Sequence, residues 1–265
     1  MKNIAVLIHD DAGQEARLQA ALDITRAVSG HLTAIGVTAL VPVTDDPFMG
    51  MPLSAMVSDA AAEEASHQAR IEARLADEDV PWDIETATGD IAFCLTEHAK
   101  LADLVVVNTA FDDFPGREMT GAVAALIRAG RAVLAVPPAA RGIRFDAAML
   151  IAWDGSDEAD AALRAAVPLL THATAVHILC IDHGGVTHPP EQAARYLSRH
   201  NIHAEVVTIT QKGDSATAIL NHAQGMAAGM IVMGGYGQPR LFESLFGGVT
   251  QKLLEHGTVP LFLAH

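Results

Sequence analysis

Apolar residues fall into short runs of strand length, and between them they recur at helical spacing. Ile4-Ala5-Val6-Leu7-Ile8 is such a run and ends in His9-Asp10-Asp11. Leu18, Ala21, Leu22 and Ile24 then mark one helix face, stopped by Gly30, and a second run, Leu32 to Val37, follows. A strand, a helix and a strand in this order predict a parallel pair joined by a right-handed crossover. The stretch 41–60 is rich in Pro, Asp, Met and Ser, including Pro47, Met49, Met51 and Pro52, and fits neither period, so it reads as a lid or surface loop. Helical composition returns over Ala61–Ala76. Trp82–Thr88 alternates as a half-buried strand, Gly89-Asp90 turns the chain, and Ile91–Leu101 is an amphipathic helix. Leu104–Val107 reads as a buried strand, Gly121–Ala129 as a helix and Ala132–Val136 as a strand, before Pro137 to Gly142 break the pattern.

The second half repeats this plan. Sliding Leu104–Val136 along it without a gap sets Val107 on Met233, Gly121 on Gly247, Val123 on Val249 and Val133 on Val259; at the front, Ile8 falls on Ile151 and Asp11 on Asp154. The first half carries extra residues, placed most simply in the 41–60 loop. The expected architecture is α/β, with two tandem doubly wound domains, each a five-stranded, mainly parallel sheet flanked by helices. Their expected spans are 1–138 and 147–265, with 139–146 as linker.

Candidate chemistry sits near the end of the chain. Met230-Ile231-Val232-Met233 breaks into Gly234-Gly235-Tyr236-Gly237, and Gly247-Gly248 precede Val249, Leu253 and Leu254 at helical spacing. A buried strand, a glycine-rich turn and a helix start make an anion site: Gly234 and Gly237 let a ligand approach the main chain, and Gly247 and Gly248 leave the helix's first N–H groups uncovered. The hydroxyl of Thr250 lies in the first turn and could donate to the same phosphate. The first half has Asn108, Phe111, Ala122 and Ala124 at the overlaid positions and keeps only Gly121, so it is expected to have lost this site.

The pattern Gly234-x2-Gly237-x9-Gly247, the tail Val249 to Leu261 and the stretch Leu150-Ile151-Ala152-Trp153-Asp154-Gly155-Ser156 resemble the universal stress protein family over about residues 147–265. The resemblance implies a Rossmann-like fold of the adenine-nucleotide α-hydrolase type, ATP or a related adenine nucleotide as ligand with Mg²⁺ as its companion, and a stress-response role. It places Asp154, Ile181, Met233, Gly234, Gly237, Gly247, Gly248, Val249 and Thr250 around the nucleotide, with Asp182 bordering the crevice. One departure is visible: the family has Ser or Thr directly after the third motif glycine, where this chain has Gly248. The resemblance also implies that the last strands of the two domains, Arg131–Val136 and Thr258–Ala264, pair antiparallel as an intramolecular pseudo-dimer; a further homodimer of whole chains is compatible with it.

Charge narrows the partners. A formal net charge of −15 argues against nucleic acid or an anionic membrane as the main partner, since both reward basic patches. Any phosphate site must then be built locally, from main-chain N–H groups, Arg240, Lys252 or a bridging Mg²⁺. No run approaches the roughly 20 apolar residues of a membrane helix, and the N-terminus lacks a signal-peptide pattern, so the expected location is cytoplasmic. Cys94 and Cys180 each lie in an apolar run and read as buried free thiols. Among the histidines, His183, His188, His200 and His203 show no metal-binding spacing. Phosphate-loop, dinucleotide-loop, nucleophile-turn and zinc-protease motifs are absent, so no catalytic residue is assigned, with weak ATP hydrolysis left open. Two readings follow: a regulatory nucleotide-binding protein, and a nucleotide-free structural or adaptor protein. Asp154 itself has a plainer use, capping the helix near Ser156, as does Asp11.

Overall fold

Runs too short to span a core alone must be covered on both faces, and that is how they are used. A computed structural model of the chain describes residues 1–38, 53–109, 119–181, 188–210, 213–235 and 248–265; for 53–64 and 119–120 it describes the backbone alone. The first half runs β1 (Asn3–Ile8), α1 (Gln14–Val28), β2 (His31–Thr38), α2 (Leu53–Ala76), β3 (Trp82–Thr88), α3 (Ile91–His98), β4 (Leu104–Asn108), α4 (Met119–Arg128) and β5 (Val133–Val136). The second runs β6 (Ala148–Trp153), α5 (Asp157–Leu170), β7 (Ala175–Ile181), α6 (Pro190–Ser198), β8 (Ala204–Ile209), α7 (Ser215–Gly225), β9 (Met230–Gly234), α8 (Gly248–His256) and β10 (Leu261–Ala264).

All ten strands form one sheet in the order β3-β2-β1-β4-β5-β10-β9-β6-β7-β8. Within each half every pair is parallel. Between the halves β10 meets β5 antiparallel, Leu261 opposite Ala135, Phe262 opposite Leu134 and Leu263 opposite Val133. Alternation along the strands then divides the core into two layers. Ile4, Val6, Ile8, Met149, Ile151 and Trp153 pack under α1 and α5; Ala5, Leu7, Leu150, Val133 and Leu263 pack under the helices of the other face. Both layers run through both halves.

Three expectations change. Of the expected 41–60 loop, residues 41–52 lie outside the described residues and Leu53–Ala60 is helix; α2 has 24 residues against 9 in α6, so much of the first half's extra length is helical. The helix expected over Ile91–Leu101 stops at His98. The ungapped overlay slips by two residues in places. Ala5 pairs with Val105 and Leu150 with Ile231, so Ile8 matches Trp153 instead of Ile151. Val105 pairs with Val133 and Ile231 with Leu261, so Val133 matches Leu261 instead of Val259. The Pro-Pro connection is irregular, as expected, and is held to α1 by Ile143 N–H donating to Asp23 Oδ2 at 3.0 Å. Cys94 and Cys180 are buried and unbridged, and among the described residues no helix is long and apolar enough to cross a membrane.

Phe262 is fully buried at the centre of the joint, opposite Leu134. Phe262→Ala is expected to cost about 3–5 kcal/mol in urea unfolding of the full chain; a loss under about 1 kcal/mol would show that the joint contributes little to the fold.

Candidate functional site

Parallel α/β sheets bind ligands beyond the carboxyl ends of their strands. In the second half those ends include Trp153, Ile181 and Gly234. After Trp153 the chain turns in Asp154-Gly155-Ser156 and enters α5. Asp154 Oδ1 accepts from the Ser156 N–H at 3.0 Å and from Ser156 Oγ at 2.6 Å. Ser156 Oγ in turn accepts from the Ala159 N–H at 3.1 Å, so the serine caps α5 and the aspartate orders the turn before it. Asp154 is exposed, and among the described residues nothing bonds its Oδ2. Trp153 is buried and donates its Nε1–H to the His188 carbonyl at 2.9 Å, tying the end of β6 to the segment before α6.

Met233 is buried, and Ile181 and Gly234 are half-buried. Gly234 is needed for packing: a Cβ there would lie 2.6 Å from both the nitrogen of Ala159 and the carbonyl carbon of Glu158, in the first turn of α5. The end of β9 and the turn after Asp154 therefore touch through main-chain atoms. Gly235 donates to the Ala264 carbonyl at 3.0 Å, and its own carbonyl lies 3.1 Å from His265 Nδ1.

At the start of α8, Gly248 is exposed with open space where a side chain would stand. Val249 is half-buried, and Thr250 is buried with Leu253 and Leu254 on the inner face. In α4 the matching buried positions are Val123, Leu126 and Ile127, so Thr250 occupies the place of a core valine and Gly121 matches Gly248. Gly237 and Gly247 lie outside the described residues, as do Phe111, Asp182, Tyr236 and Arg240. The structure thus brings Asp154 and Gly234 together around the start of α5.

The first half shows what the sequence reading missed. Arg17, on α1, is fully buried at the same edge of the sheet. Its Nε–H donates to the Leu7 carbonyl at 2.6 Å, one terminal nitrogen to the His9 carbonyl at 2.7 Å, and the other to both oxygens of Asp11 at 2.8 Å and to Asn108 Oδ1. Asn108 passes the network on, donating to the Gly13 and Val136 carbonyls at 3.1 and 3.0 Å. Burial pulls the Arg17 guanidinium below its ordinary value, against the opposing charge and hydrogen bond of Asp11. Asp11 is therefore a buried ion-pair partner, and the space beside it is filled. A signal was present: Arg17 lies on the helix face of Ala21, Ile24 and Val28.

Two substitutions separate packing from ligand roles. Gly234→Ala is expected to destabilise the ligand-free chain by about 1–3 kcal/mol, because main-chain atoms must move; unchanged thermal unfolding would assign the glycine to ligand access alone. Arg17→Met leaves the Asp11 carboxylate buried without its partner and is expected to cost about 3–5 kcal/mol, measured by denaturant unfolding; a neutral effect would show that Asp11 escapes to water.

Residues 148–265 match the model of the universal stress protein family. The whole fold is similar to that of a universal stress protein from Archaeoglobus fulgidus DSM 4304, with 16% sequence identity, coverage of 99% of this chain and 97% of that one, and a TM-score of 0.77. It is also similar to a functionally unknown protein from Pseudomonas aeruginosa PAO1, with 18% identity, coverage of 100% and 92%, and a TM-score of 0.58. No curated protein matches the chain in sequence. The universal stress protein match thus falls on residues 148–265, and over its full length the chain shares the α/β fold of a solved universal stress protein.

Proposed function

We propose that the C-terminal domain binds ATP or a related adenine nucleotide, and that the protein uses it to set its shape or its choice of partner, with little or no catalysis. The observation that carries this reading is the contrast between two β-α turns on one scaffold. In the first half the turn is closed on Arg17. In the second, Asp154 faces water with one oxygen held by Ser156 and the other free to accept from a ribose hydroxyl or a base amino group. The start of α8 supplies the anion end: uncovered N–H groups, a dipole worth roughly half a positive charge, and open space at Gly248. With Thr250 turned to the inner face, the phosphate shell in this reading is mainly backbone, and Mg²⁺ bound to the phosphates would offset the acidity of the chain. The family match supports the reading, and 1–138 then serves as a structural unit, 139–146 as linker and 147–265 as the binding unit of an intramolecular pair.

Titration calorimetry of the full-length protein with Mg-ATP is expected to show saturable binding of one nucleotide per chain, with a change in Trp153 emission. Asp154→Asn is expected to weaken it by about 1.5–3 kcal/mol, roughly 10- to 100-fold in Kd. Two equivalent sites per chain would overturn the one-sided reading. Failure of the wild type to bind would favour the structural or adaptor role.

A further inference from the structure

The joint between β5 and β10 brings the N-terminal half to the edge of the proposed nucleotide site. Because β10 runs antiparallel to β5, its carboxyl end lies beside the start of β5 and the last turn of α4. Gly235, where the chain leaves β9 for the glycine segment, has a Cβ position 3.3 Å from Ile127 Cδ1 of α4. Four residues beyond Ile127 stands Arg131, its N–H bonded to the Leu126 carbonyl at 3.0 Å. Val133 and Ala135 belong to the core layer of Ile127, Leu253, Leu254 and Leu263, and Ala132 and Leu134 to the other. Arg131 stands between the end of α4 and the start of β5, beside the carboxyl end of β10.

The Arg131 Nε is buried and makes no hydrogen bond, and among the described residues no carboxylate pairs with this side chain. The chain has 32 acidic residues against 17 Lys and Arg, so carboxylates are abundant, and a buried donor left unmade is costly. The arrangement is also one-sided. Leu261 holds in the second half the place that Val133 holds in the first, so Val259 stands where Arg131 would be.

We propose that Arg131 of the N-terminal half supplies a phosphate-binding cation to the nucleotide site of the C-terminal domain, so that one site is built from both halves. This rests on the nucleotide reading above. It gives the half without the glycine motif a direct part in binding, by adding a forked donor to the main-chain N–H groups that face a polyphosphate.

The test is calorimetry on the full chain with Mg-ATP and, separately, with adenosine, for the wild type, Arg131→Met and Arg131→Gln, the fold of each checked by thermal unfolding. Both variants are expected to bind ATP roughly 10- to 100-fold more weakly, to bind adenosine within about twofold of wild type, and to show a flatter salt dependence for ATP. Unchanged ATP affinity in either folded variant overturns the proposal. Equal loss for ATP and adenosine also overturns it, since that marks a packing role. A wild type that binds neither ligand removes the nucleotide site itself, a failure visible before any variant is measured.

Discussion

The antiparallel pairing of β5 with β10 is the contact on which the rest of the molecule depends. Each is the last strand of its unit, apolar, and an open edge if left alone, the kind of edge that recruits other chains. Pairing them closes both edges at once and makes two five-stranded sheets into one. It also joins the two core layers, so that Phe262 and Leu134 pack in one layer while Leu263 and Val133 pack in the other. The direction of the pairing matters as much as its existence. An antiparallel joint sets the carboxyl edge of each half beside the amino end of the other's last strand, which is why α4 reaches Gly235.

On that shared scaffold the two halves treat charge in opposite ways. Burying a guanidinium and a carboxylate is expensive, and it holds only where geometry and hydrogen bonds are nearly complete. Arg17 meets this condition, with Asp11 gripped by both oxygens and two carbonyls and Asn108 taking the remaining donors. The result is a filled, polar plug at the end of β1 and β4. At the corresponding end of β6 and β9, among the described residues, no cation pairs with Asp154; the small Gly234 lets β9 touch α5 directly, and Asp154 is exposed.

Much of this fold could be read from hydrophobic spacing: β3 falls on Trp82–Thr88 as expected, and the glycine segment follows a buried strand. The errors have a common physical origin. A strand shows the same face to the core after every second residue, so a slip of two positions changes no burial. Ile8 over Ile151 and Ile8 over Trp153 therefore look alike in an apolar run, and only pairing with β4 and β9 separates them. The start of α2 was hidden by Pro and Met residues around Pro52. For the site, Gly234 was legible as a required glycine, but its neighbour, the first turn of α5, was not. Arg17 went unread because an arginine beside apolar residues is usually taken for one that snorkels to water.

The two-residue slip has a structural consequence at the site. In the first half the connection from β1 to α1 runs from His9 to Gly13; in the second it is only Asp154 to Ser156. The longer turn carries Asp11 past the strand end and back over it, where its carboxylate reaches Arg17 one turn into α1. The shorter turn begins with the aspartate itself, which is caught at once by Ser156 and held facing outward. The residue α1 contributes at its buried edge is an arginine, whereas the buried residue in the first turn of α5 is Ala159, flanked by Asp157, Glu158 and Asp160, so that turn offers no cation to an aspartate. Turn length and one helix residue together decide whether the aspartate is spent inside the protein or left available to a ligand.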